Sequence, residues 1–199
     1  MDNYTPPPLT PFKPSEHGVV GQIWYKSDVD ESWSYLGQNV ILYTELSLLL
    51  ARMLKDLTEP THGAFGLAVG TGDSGWDPMD PPAASETQGS LYNELDRKPF
   101  STISWIDSGG SVSSIPTNIL DFTATFSSTE AVGPLVEMGI ICAPTDIVSP
   151  YSANPIPQGS WNSAAVDRRN YDSFLAVRNF KVLNKPSGHT YTFSWRVTF

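Results

Sequence analysis

Polar and apolar positions alternate most regularly over residues 191–199, where Tyr191, Phe193, Trp195, Val197 and Phe199 are interleaved with Thr192, Ser194, Arg196 and Thr198. Successive strand side chains point to opposite faces, so this period predicts a half-buried strand with one aromatic face. Such a face needs an opposing apolar layer, supplied by the chain folding back onto its own end. The same period recurs at Leu120, Phe122, Ala124 and Phe126, with Asp121, Thr123 and Thr125 between them. Leu135 to Cys142 is a largely apolar run, suited to a strand covered on both faces. Residues 19–25, 66–70, 101–107 and 174–183 also read as strands.

A different period appears between Asn39 and Glu59. Leu42, Leu46, Leu49, Leu50, Met53, Leu54 and Leu57 recur at three- and four-residue steps, which predicts an amphipathic helix over about 39–59, ended by Pro60. Breaker residues divide the rest. Pro6, Pro7, Pro8, Pro11 and Pro14 make residues 1–20 an extended, polyproline-like arm. Residues 71–90 and 144–172 are long loops, Asp107 to Ser111 is a turn, and Lys185 to His189 turns into the closing strand. The expected fold is mainly β: one antiparallel sandwich, jelly-roll-like, over residues 21–199, with the helix packed on it and the arm preceding it.

Composition narrows the function. Twenty-one acidic against twelve basic residues leave a formal charge of −9, which opposes the phosphate neutralisation that nucleic-acid binding uses. The first residues lack the basic start and apolar core of a signal peptide, and no apolar run approaches the length of a membrane span. The expectation is a protein with neither nucleic-acid partner nor membrane insertion. Cys142 is the single cysteine, so no intrachain disulfide forms, and its apolar surroundings predict a buried thiol.

Several short patterns imitate catalytic motifs. Gly70-Thr-Gly72-Asp73-Ser74-Gly75 fits G-x-G-x-x-G, but the prolines from Pro78 onward deny the helix a dinucleotide site needs, leaving a glycine turn at a strand end. Gly72-Asp73-Ser74-Gly75 resembles the nucleophile segment of chymotrypsin-like proteases, yet His62 lies in no base-bearing motif. His17, His62 and His189 stand far apart, and prolines break the spacing of Asp73, Asp77 and Asp80, so no metal or cofactor is expected. Trp24, Trp33, Trp76 and Trp161 lie in or near predicted loops, where an indole either stacks on a sugar or anchors its loop.

The order of features from helix to strand resembles small structural proteins of the tails and necks of tailed bacteriophages. The resemblance rests on Gly66-Leu-Ala-Val-Gly-Thr-Gly72, Thr87-Gln-Gly-Ser-Leu91-Tyr-Asn93-Glu94-Leu-Asp-Arg97-Lys98, Ser128-Thr-Glu-Ala-Val-Gly-Pro-Leu-Val-Glu137-Met-Gly139, and the Lys185 turn before a final alternating strand. It covers about residues 39–142 and 174–199. It implies a non-enzymatic virion protein, assembled in the bacterial host cytoplasm as a homo-oligomer with other tail, neck, collar, fibre-base or baseplate proteins. The arm, the aspartate loop and the 144–172 segment depart from that compact pattern. The candidate subunit-interface residues are Pro6, Pro7, Pro8, Pro11, Phe12, Trp76, Arg97 and Trp161. The Glu94–Arg97 neighbourhood also fits a local surface ion pair. A carbohydrate- or host-surface-binding sandwich module is the alternative function.

Overall fold

The computed structural model describes residues 5–8, 20–41, 61–86, 88–144 and 173–199. These form two antiparallel sheets. The strands are β1 (Val20–Ser27), β2 (Ser34–Gln38), β3 (Val40–Ile41), β4 (Thr61–Gly70), β5 (Glu94–Pro99), β6 (Thr102–Ile106), β7 (Val112–Ser113), β8 (Ile119–Phe126), β9 (Gly133–Pro144), β10 (Ser173–Lys185) and β11 (Tyr191–Thr198). The first sheet has the order β2-β1-β11-β8-β6-β7 and the second β3-β10-β9-β4-β5. Pairs nest along the chain: β1 with β11, β3 with β10, β4 with β9, and β6 with β8.

The alternating segments put their apolar members between the sheets. Ile23, Phe122, Ala124, Phe126, Phe193, Trp195 and Val197 from the first sheet meet Leu67, Val69, Met138, Ile140, Leu175 and Phe180 from the second. Burying each such side chain contributes about 1.5–3 kcal/mol relative to exposure. Phe126 and Phe193 meet edge to face with centroids 5.9 Å apart, an arrangement that adds to area burial. Cys142 is buried in this core.

The predicted strands all appear, and four more accompany them. β2, β3 and β7 are short, and β5 carries the sequence Glu-Leu-Asp-Arg-Lys-Pro, whose charges hide its strand character. The helix expected over 39–59 is corrected at its start: Val40 and Ile41 are strand, paired with Val177 and Ala176 of β10, a setting that β-branched side chains favour. Residues 42–60 lie outside the described residues, as do most of the proline arm and all but the first residue of the 144–172 segment. Both turns form as expected. The Asp107 carboxylate accepts hydrogen bonds from the amides of Gly109 and Ser111, and Gly188 sits at φ +92° in the turn before β11.

β11 is hydrogen-bonded along one edge to β1 and along the other to β8, so the predicted half-buried strand lies inside its sheet. Its polar face is also covered: Ser194 and Arg196 are 0% and 2% exposed. Deleting residues 191–199 removes this shared partner and uncovers the apolar faces of both neighbours. The expected outcome is insoluble protein, checked by expression and thermal melting; a soluble fragment that melts cooperatively would overturn it.

Candidate functional site

Strands in the middle of a sandwich bury one face in the core, and their outward side chains ordinarily meet water. Here both outer faces are crossed by irregular chain, which creates two polar sites. On the first sheet, Asp121 of β8 lies beside Arg196 and Ser194 of β11. The carboxylate accepts from the Ser194 hydroxyl at 2.6 Å and from Arg196 Nη2 at 3.1 Å. The guanidinium lies 5.3 Å from the Trp24 ring centroid, and Nη2 also donates to the Pro7 carbonyl at 3.1 Å. Pro7 is buried, with Pro6 half-buried and Pro8 exposed. Residues 5–8, the described part of the first nineteen residues, therefore lie against this sheet.

The second site lies under the loop joining β4 to β5. Glu137 of β9 is fully buried. Its Oε1 accepts from the amides of Gly72 at 3.1 Å and Asn93 at 2.8 Å, and its Oε2 from the amide of Tyr92 at 2.9 Å. One carboxylate thus ties together both ends of the loop. Asn179 Nδ2 donates to the Pro82 carbonyl, and the Val182 amide to the Pro78 carbonyl, which hold its middle across β10. Leu91 and the half-buried Ala84 pack on Ala68, Ile141, Phe174 and Val177 beneath it.

The glycine pattern at 70–75 serves this loop. Gly72 has φ +71°, and a Cβ there would lie 2.7 Å from the Trp76 ring and 2.8 Å from Val136, so only glycine fits. Asp73 and Asp77 accept from the amides of Gly75 and Met79 two residues on, the local turn bonding that aspartates supply. Among the described residues, no three His, Cys, Asp or Glu side chains are grouped to hold a metal ion.

Of the interface residues expected from sequence, Trp76 is half-buried at the loop's edge, its ring edge-on to Tyr92 at 4.7 Å. Arg97 is 1% exposed; it pairs with Glu94 of the same strand through Nε to Oε1 and through Nη2 to Oε2 at 2.7 Å. The Glu94–Arg97 pair therefore forms, but buried rather than at the surface. Trp24 is 1% exposed in β1 and is an anchor. Pro11, Phe12 and Trp161 lie outside the described residues.

A third polar cluster joins the turns at one end of the sandwich. Lys185 is buried, and its ammonium donates to the carbonyls of Ser127 and His189, each at 2.8 Å; burial pushes its pKa down, against the pull of Glu130, Asp28 and Asp96. Lys98 and Glu130 pair at 2.6 Å nearby. The Asp28 carboxylate accepts from the Thr190 amide and bonds His189 Nδ1, which hold its pKa below the usual range.

Sequence reasoning missed Asp121, Ser194, Arg196 and Glu137. The first three stand at alternate polar positions that read as solvent-facing. Glu137 carried a signal, since it is the one charge inside the apolar run from Leu135 to Cys142.

Replacing Asp121 by alanine leaves Arg196 buried without its carboxylate and is expected to cost about 3–5 kcal/mol in denaturant unfolding. Burial raises the Glu137 pKa, its three amide donors oppose this, and the charge of Glu94 raises it further. Between the ordinary value of 4.5 and the raised folded value, the folded state holds more protons than the unfolded one. Glu137 therefore makes stability fall as pH rises through that window. Unfolding measured from pH 4 to 7 (about the carboxylate range and above) should show a smaller fall for Glu137→Gln than for the unsubstituted protein. The sequence matches no protein-family model, and no curated protein is significantly similar to it.

Proposed function

We propose that the protein is a non-enzymatic structural component of a tailed-bacteriophage virion. It assembles in symmetric copies at the tail, neck, collar, fibre base or baseplate, in the host cytoplasm and alongside other virion proteins. The observation that carries this reading is the seating of the proline segment on the first sheet. Arg196 donates to the Pro7 carbonyl over a buried Asp121, so the sandwich has a built receptor for an extended arm. The same receptor serves an arm from a neighbouring copy, because the contact uses a backbone carbonyl and a proline ring and needs no covalent continuity. The nested strand pairing supports the finer description of the sandwich as jelly-roll-like. The rigid double layer supplies shape, and arm and loops supply contacts.

A carbohydrate- or host-surface-binding module is the second reading. A cleft beside Trp33, on the polar side of β1 and β11, favours it.

Light scattering over a range of protein concentrations tests the assembly reading. The full chain is expected to form a discrete symmetric oligomer, and removal of residues 1–8 to shift it to monomer while circular dichroism keeps its β signature. A full chain that stays monomeric, or an oligomer indifferent to the deletion, would overturn the arm's role. Mass spectrometry of purified particles, finding the chain at stoichiometric copy number, would place it in a virion.

A further inference from the structure

We infer that the cleft between the proline segment and the 28–33 loop binds a neutral oligosaccharide; this rests on the second reading above and assigns it a site. The cleft has a volume of about 550 Å³ and is lined by Thr5, Lys26, Asp28, Glu31, Trp33 and Thr192 among others. That size falls within the roughly 300–1,000 Å³ of small-ligand sites.

The lining chemistry selects the ligand. Trp33 is the aromatic element, and an indole packs against the apolar C–H face of a sugar ring. The ring is held in advance: Nε1 donates to the Thr5 carbonyl at 3.1 Å, and Lys26 Nζ lies 5.1 Å from the ring centroid. Less ordering is then needed on binding. Around it stand groups that match vicinal hydroxyls. Asp28 accepts one hydrogen bond on each oxygen from the β10–β11 turn, and a carboxylate has about four acceptor sites. Glu31 adds a second carboxylate, Lys26 adds donors, and the Thr192 hydroxyl, 3.0 Å from that of Thr125, adds either.

Charge excludes the competitors. Two carboxylates against one ammonium, on a chain of formal charge −9, oppose a phosphate or sialic-acid ligand. A neutral polyhydroxylated ligand uses the aromatic ring, the acceptors and the donors together.

The full chain is titrated with methyl α-glucoside, maltose, lactose, cellobiose and diacetylchitobiose, with sialyllactose as the anionic comparison. Binding is followed by tryptophan fluorescence and saturation-transfer NMR. At least one neutral saccharide is expected to bind. Trp33→Ala should weaken it about tenfold, Glu31→Ala should weaken it less, and Trp76→Ala, on the other sheet, should leave it unchanged. If Trp33→Ala fails to fold, Trp33→Phe and Glu31→Ala carry the comparison. Binding unaffected at Trp33 and Glu31 overturns the site but leaves the module reading standing. Preference for sialyllactose overturns the neutral-ligand site and leaves the module reading standing, and no binding by any of these saccharides overturns both.

Discussion

Charged side chains on central strands cannot be left in a dry layer without partners, and this constraint organises the outside of the sandwich. Asp121, Arg196, Glu137 and Lys185 are all 2% exposed or less. The desolvation of such a group amounts to several kcal/mol unless hydrogen bonds replace its water. Asp121 finds them in the Ser194 hydroxyl and the Arg196 guanidinium of β11, and the other three find them in backbone of irregular segments: the Pro7 carbonyl for Arg196, three loop amides for Glu137, two turn carbonyls for Lys185. The charges thus determine where arm, loop and turns lie, and those segments in turn keep the charges dry.

Segments lying on both outer faces separate this chain from a sandwich with two wet faces. The core between the sheets is apolar and continuous, so it fixes strand register without chemical specificity. Specificity lies outside it. The β4–β5 loop is held at both ends by one carboxylate and in its middle by Asn179. The proline segment is held by a single side-chain bond from Arg196 and another from Trp33.

The Trp33 cleft lies where Thr5 meets the 28–33 loop. Its walls come from β1, the 28–33 loop, the β10–β11 turn, Thr192 of β11 and Thr5.

By itself the sequence determined which residues share a face. Period-two alternation located β8 and β11 and their core members, Phe122, Ala124, Phe126, Phe193, Trp195 and Val197, and glycine and aspartate placed the turns at 70–75, 107–111 and 185–189. It could not reveal β5, whose Glu, Asp, Arg and Lys resemble a surface turn until β4 pairs with them. It also assigned Val40 and Ile41 to a helix because the leucine period that follows them was extended backwards, whereas pairing with β10 makes them strand. Alternation says nothing about what lies against the second face. Whether Ser194, Arg196 and Glu137 meet water or another piece of chain depends on segments 40 or more residues distant, |i−j| being 189 for Pro7 and Arg196 and 65 for Gly72 and Glu137. Only the tertiary structure decided that, because burial is a property of the neighbours a fold brings in and not of the local period.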